Sequence, residues 1–277
     1  MSLPNPVRAI DLSNRFKHSD NHVYKSSSPC VLALDNSYLV VIRCNYVPHF
    51  YERTLTQIME LDLNFAIVKQ SVLSICEEDI RIFKHGDIIY YMGINKYWDS
   101  AHRYAVVAGI WTGFEINNTI PVRVMFDTHY TNEKNWAFFS LKGDLRVVYQ
   151  WYPLKICRLD FDSNELHLLI TRPMPDSFER FCGSSCGVTI ENEIWFTVHL
   201  QDNRAYKHAF VIFDKDMNLL RYSEPVGLII SRSFSYGLHI KNNRVLLGFS
   251  LNDYSTYIHE YTLEGLQTSL KWHTCVE

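Results

Sequence analysis

The chain has 277 residues, 47% apolar and 14% aromatic, enough to bury a sizeable core. Its 27 basic and 30 acidic residues give a formal charge of −3, and no Lys/Arg stripe of the kind that neutralises a phosphate backbone is present, which argues against nucleic acid as a partner. Residues 1–15 lack the apolar stretch of a secretory signal and no run of about 18 apolar residues offers a membrane span, so a soluble, cytoplasmic protein is expected.

In chain order, five copies of one phrase pair a turn with an apolar strand: Asn36-Ser37-Tyr38-Leu39-Val40-Val41, Gly86-Asp87-Ile88-Ile89-Tyr90-Tyr91, Gly143-Asp144-Leu145-Arg146-Val147-Val148, Asn192-Glu193-Ile194-Trp195-Phe196-Thr197 and Asn243-Arg244-Val245-Leu246-Leu247-Gly248. Their turn positions, 37, 87, 144, 193 and 243, lie 50, 57, 49 and 50 residues apart. A second strand pair follows each phrase, at residues 58–64, 106–113, 155–162, 210–216 and 258–265, and no segment carries a helical stripe over three turns. A strand-built period of this size predicts an all-β, five-bladed β-propeller with four-stranded antiparallel blades around a central channel, because one blade cannot cover both faces until neighbours stack on it. No linker or low-complexity stretch interrupts the series, so residues 1–277 are expected to form one domain, with a strand near Ile10 closing the last blade.

The segment before each phrase should be the blade's innermost strand: Lys25–Cys30, Glu77–Phe83, Asn132–Trp136, Arg180–Ser185 and Ser231–Gly237. These carry more charge, hydroxyl and amide than core strands tolerate, which points to a wet funnel that binds ligand. Seven cysteines at 30, 44, 76, 157, 182, 186 and 275 read as reduced, buried thiols, and the sequon Asn117-Asn118-Thr119 as chance.

Glu78-Asp79-Ile80-Arg81 is the strongest chemical signal. Strand alternation puts Asp79 and Arg81 on one side, paired, and Glu78 on the other. One carboxylate beside a fixed cation suits proton donation or sugar-hydroxyl binding; the plainer reading is a structural ion pair. Glu133, Lys134, Asn135 and Trp136 add a carboxylate, a cation, an amide and an aromatic plate, pieces that sugar sites commonly use, although a propeller Trp more often packs between blades. Trp151 can line the same mouth, His199 lies near it or is a structural histidine, and Asn45 and Asp253 occupy equivalent rim positions where turn residues are usual. Gly183-Ser184-Ser185-Cys186-Gly187 matches the nucleophile-elbow pattern, but that pattern needs a following helix and a strand follows here. Cys182 and Cys186 have no second Cys/His pair to complete a zinc site, and no metal is expected.

Taken together, Ser28-Pro29-Cys30-Val31 with Val41-Ile42-Arg43-Cys44-Asn45-Tyr46, Glu78-Asp79-Ile80-Arg81-Ile82-Phe83, Glu133-Lys134-Asn135-Trp136, Tyr149-Gln150-Trp151-Tyr152-Pro153-Leu154, Cys182-Gly183-Ser184-Ser185, Ser223-Glu224-Pro225 and Tyr236-Gly237-Leu238 before Phe249-Ser250-Leu251-Asn252-Asp253 resemble the β-1,2-mannoside phosphorylase and mannosyltransferase superfamily. The resemblance implies a five-bladed propeller whose mouth binds a mannosyl unit. It also implies that Asp79, at the position of the family's proton donor, acts on the glycosidic oxygen through a sugar hydroxyl while phosphate or another nucleophile attacks with inversion. Arg81 would organise the acid, and Lys134, Asn135 and Trp136 would contribute to the sugar or nucleophile pocket; Arg43, Asn45, Glu78, Glu133, Trp151, Ser184, His199, Tyr236 and Asp253 are the further candidates for substrate binding. Three positions depart from the family's pattern: Ile80 replaces a proline, Cys182 an arginine and Ser28 an asparagine. Losing the arginine removes a bidentate anion contact, with Arg180 the neighbouring cation in sequence.

The expected function is a carbohydrate-active enzyme that forms or cleaves a mannoside-type bond by inverting displacement, as a phosphorylase, transferase or hydrolase, with Asp79 as general acid or base. Phosphate or a sugar phosphate is the expected co-substrate, a mannose-containing glycan the expected partner, and no cofactor is expected. A hydrolase would need a second carboxylate roughly 6.5–9.5 Å away, for which Glu133 and Asp253 are candidates. A transferase would need an anion pocket, for which Arg43, Arg81 and Lys134 are candidates. The alternative is a catalytically inactive propeller that binds a glycan or protein. An arabinanase-like hydrolase would want an acid on the first inner strand, where Ser26–Ser28 supply none.

Overall fold

The computed structural model of the chain describes residues 3–15, 23–47, 54–73, 77–95, 104–112, 120–202, 205–228 and 232–275. Cys76, Gly113, the sequon at 117–119 and Ser231 lie outside them. Five small sheets ring a central channel, a five-bladed β-propeller. The first blade runs Val23–Ala33, Tyr38–Val47, Thr54–Leu61 and Ile67–Leu73 from the channel outward, and the second Glu77–His85, Ile88–Asn95 and Ala105–Ile110. In the third, Ala137–Leu141, Asp144–Trp151, Leu154–Asp160 and Glu165–Arg172 carry Arg123–Val124 as a parallel outer edge. In the fourth, Cys182–Gly183 and Val188–Ile190 share the inner position, followed by Glu193–Asp202, Ala205–Asp214, Leu219–Ser223 and Trp272–Thr274. Ser233–Lys241, Arg244–Leu251 and Ser255–Thr262 form the fifth, which the N-terminal strand Arg8–Asp11 completes with Ile10 opposite Ile258.

The repeated phrases are the second strands of the blades. Two of the turns that launch them, Lys142-Gly143 and Asn242-Asn243, have both residues at positive φ. That geometry matches the twist of the flanking strands and favours Gly and Asn. Five apolar clusters follow, one between each pair of neighbouring blades. Phe139, Phe196 and Phe213 join the third and fourth, for example, while Ile10, Leu12, Val40 and Ile258 join the fifth to the first. Leu12 is fully buried in that last seam, so the N-terminal segment locks the ring through packing as well as strand pairing.

Strict alternation fails where the inner strands meet the mouth. Ser28, Asp79 and Asn135, at matching places in the first three blades, sit at φ 52°, 55° and 64°. Pairing slips at Ser27/Cys30 and Glu78/Arg81, and again at Ser235/Gly237 in the fifth blade. Each bulge turns an extra side chain toward the channel, and a non-glycine residue held left-handed costs about 1–3 kcal/mol, strain that clusters at functional sites. The third inner strand starts at Ala137, so residues 132–136 are a connection that leads into it rather than the strand itself. The polar inner positions are also drier than expected: Ser26, Ser27, Ser28, Glu78 and Arg81 are all at most 5% exposed, with Ser27 and Glu78 accepting from Arg43, Ser28 donating to Asp79, and Ser26 and Arg81 donating to main-chain oxygens.

Candidate functional site

At the mouth lies a polar cavity of about 260 Å3, lined by residues of every blade, among them Arg43, Asp79, Asn135, His199 and Tyr236. Its floor is an ion cluster built on Arg43. From the second strand of the first blade, Arg43 donates Nη1 to Asp79 Oδ1 at 3.0 Å and to Glu78 Oε2 at 3.4 Å, Nη2 to Asp253 Oδ1 at 3.2 Å, and Nε to Ser27 Oγ at 3.0 Å. Asp79 also accepts from Ser28 Oγ at 2.9 Å and from Tyr236 Oη at 2.8 Å. Three bulges thus converge on one carboxylate. Burial works to raise the Asp79 pKa, but Arg43 and then Arg81, helped by the two hydroxyls, hold it below the usual carboxylate range, so Asp79 is an anion at neutral pH. Burial first, and then the Asp79 charge, push the Tyr236 phenol far up, which keeps it a donor.

The expected Asp79–Arg81 ion pair is not the one formed. Arg81 is 1% exposed, gives Nε to Ser184 O at 2.6 Å and Nη2 to Gly183 O at 3.3 Å, lies over the Tyr236 ring, and meets Asp79 through the main-chain oxygen at 3.5 Å. The bulge is the reason: it removes the period-two relation, so Glu78 and Asp79 both line the cavity and Arg81 runs beneath them. An anion pocket of Arg43, Arg81 and Lys134 is not assembled either, because carboxylates occupy Arg43 and carbonyls occupy Arg81. The cations that border the open part of the cavity are Lys134 and Arg232, the latter stacked over Tyr206.

Trp136 offers no plate. It is 2% exposed, packed on Tyr149 and Phe138 between the second and third blades. The aromatic wall comes instead from Phe234 and Tyr206, half-buried rings 4.8 Å apart, with Phe234 stacked 4.5 Å from Tyr236 and 4.2 Å from His199. Burial, and then His208, lower the His199 pKa, so the ring is neutral, with Nδ1 and Ser184 Oγ 2.9 Å apart. Ser184 is fully buried behind His199 rather than in the cavity, and Ser185 Oγ accepts from the Thr197 main chain, so neither serine is a nucleophile at an elbow. Asn45 is likewise buried, donating to Ser27 Oγ at 3.1 Å and toward the main chain of Asp253. Asp253 combines both readings of its position: it is a turn residue at φ 58° and its carboxylate reaches Arg43.

Glu133 and Trp151 line a separate, smaller cavity beside the mouth, which shares only Lys134 and Asn135 with it. Of the three departures, Ser28 supplies the hydroxyl on Asp79, Ile80 is buried core, and Cys182 is an exposed thiol on the rim of the side cavity. Arg180 does not stand in for the lost arginine, since its guanidinium bonds the main chain of Gln201. Arg232, Tyr206, Phe234 and Tyr104 were not singled out in the sequence. Phe234 lies two residues before Tyr236 on the fifth inner strand, and that spacing was the available signal. The other cysteines follow expectation in part: Cys30, Cys44, Cys157 and Cys186 are buried, while Cys275 is half-exposed. No metal-ligating cluster occurs among the described residues, and no described helix is long and apolar enough to cross a membrane.

No family model matches the sequence, and no curated protein matches it. Among solved structures the chain is similar to the β-1,2-mannobiose phosphorylase of Listeria innocua, at TM-score 0.65 and 11% identity over 94% of this chain and 96% of that one. It is similar to a mannose phosphorylase of Leishmania mexicana, at TM-score 0.67 and 11% identity over 97% and 92%. A GDP-Man-dependent mannosyltransferase of Leishmania mexicana aligns at TM-score 0.66 and 13% identity over 92% and 89%. The resemblance read from the motifs therefore holds at the level of the whole fold, across nearly the full length of each chain.

Proposed function

We propose that this propeller is a carbohydrate-active enzyme that forms or cleaves a mannoside-type bond by a single inverting displacement, with Asp79 as the acid/base. The observation that carries the reading is the convergence of a buried, hydrogen-bonded carboxylate, a half-buried aromatic wall and two bordering cations in one cavity sized for a single sugar. The Phe234 and Tyr206 rings suit the C–H face of a pyranose, and the carboxylates suit its hydroxyls. The mannose-active neighbours of the same fold favour mannose over other hexoses.

Asp79 exchanges roles with the direction of the reaction. As a carboxylate, Asp79 is ready to take a proton. In transfer, the acceptor's O–H bond breaks, its proton passes to Asp79 directly or across a sugar hydroxyl, and the acceptor oxygen bonds the anomeric carbon from the face opposite the departing phosphate. Lys134 and Arg232 receive that anion. In cleavage, Asp79 must first gain a proton, which it then gives to the glycosidic oxygen as phosphate attacks. The test is a screen of mannose 1-phosphate and nucleotide-linked mannose against mannoside acceptors with inorganic phosphate followed. Release of phosphate from mannose 1-phosphate supports the reading; absence of turnover with every donor, alongside measurable sugar binding, supports instead a binding-only propeller, which the tight locking of Asp79 by Arg43 would also suit.

A further inference from the structure

The side cavity, about 100 Å3, is lined by Glu133, Trp151, Tyr149, Cys182 and Gly183 as well as by Lys134 and Asn135, the two residues it shares with the mouth. Trp151 is 2% exposed and its indole N–H, buried, has no hydrogen-bond partner. Its ring is fixed edge-on against Phe196 at 5.3 Å, so it does not turn to find one. Gly183 lies against that N–H without a side chain: a methyl group there would stand 3.0 Å from Nε1 and collide with Asn135 O. On the cavity wall Glu133 is held by Tyr149 Oη at 2.9 Å. Burial raises the Glu133 pKa even so.

We propose that this cavity reads a hydroxyl: a neutral, hydroxyl-bearing arm of the glycan, extending past Asn135 from a sugar seated over Asp79, accepts from Trp151 Nε1 and donates to Glu133. A buried donor left unpaired is costly and a fixed carboxylate repels anions, so the pair selects a group that both accepts and donates while carrying no charge. A hydroxyl meets both conditions, and a cavity this small holds little more than one such arm. Phosphate is thereby directed to Lys134 and Arg232 on the mouth side. This inference rests on the mouth being a sugar site.

The experiment follows the indole N–H resonances of 15N-labelled full-length protein on titration with mannose and with β-1,2-mannobiose. Trp151 is identified by the peak missing in Trp151→Phe, or by backbone-linked assignment if that variant does not fold. The expected result is that mannobiose moves the Trp151 peak, mannose alone leaves it in place, and Trp151→Phe, where folded, binds mannobiose roughly tenfold more weakly. Mannobiose binding with the Trp151 peak unmoved overturns the hydroxyl-reading role and leaves the sugar site standing. Binding of neither sugar to the wild-type protein overturns the sugar site and this inference with it.

Discussion

Replacing Arg43 with Met keeps most of the side chain's volume and removes the charge on which the mouth is organised. Glu78, Asp79 and Asp253 would then face one another with side-chain exposures of 6%, 12% and 23%, and their remaining nearby cation, Arg81, is committed to the carbonyls of Ser184 and Gly183. At a separation of about 4 Å and an effective dielectric near 20, each lost charge contact is worth roughly 4 kcal/mol before desolvation is counted. Removing one partner of a buried pair typically costs about 3–5 kcal/mol. For a chain of this size that is a fall in Tm of about 5–9 °C at pH 7, read by thermal unfolding. The pH dependence carries the mechanism. In the wild-type protein the depressed Asp79 pKa contributes stability that is present above the unfolded carboxylate pKa of about 3.9 and is lost as pH falls through the lower folded value. In the variant Asp79 loses that cation, its folded pKa rises, and the penalty is largest at neutral pH and shrinks toward pH 4. A loss of less than about 1 kcal/mol that does not change with pH would refute the claim that Arg43 organises the mouth, since exposed pairs behave in that way.

Phe234→Ala should leave the fold intact, because the ring is half-buried, yet weaken mannoside binding about tenfold by calorimetry, given that a stacking contact contributes about 0.5–1.5 kcal/mol beyond its buried area. Leu12→Ala should destabilise the ring by about 2–5 kcal/mol in chemical denaturation, because Leu12 is fully buried in the seam that the N-terminal strand closes; an unchanged midpoint would mean that the closure is ornamental. With Asp79 anionic in the resting site, transfer from a mannosyl donor should persist into the acid range and fail as pH drops through the lowered pKa of Asp79, whereas cleavage should rise over that same fall; the two pH profiles, recorded on one preparation, check this.

The ring was legible because each blade repeats one phrase at nearly constant spacing, and the strand expected near Ile10 does complete the fifth blade. Asp79 at the lip was legible from its neighbours Glu78 and Arg81, but its partner was not. Alternation assigns faces only where pairing stays in register, and the left-handed Asp79 breaks register at the one place that mattered, handing its carboxylate to Arg43 from the next blade. Long-range convergence of that kind has no local signature. Trp136 takes the second of the two roles open to it in the sequence, packing rather than a binding plate: the strand begins one residue later, so the ring turns into the seam between blades. The true aromatic wall, Phe234 with Tyr206, joins residues of two blades that only the closed ring brings within 4.8 Å.

The most direct measurement is turnover of a mannosyl donor by Asp79→Asn beside the wild-type protein, with Tm and mannoside affinity recorded for both. Asparagine keeps the size of the side chain and still accepts from Ser28 and Tyr236, but cannot carry the proton. The account predicts a folded variant that binds mannoside and has lost about 10²–10⁴-fold in kcat. Equal turnover by the two proteins would contradict it.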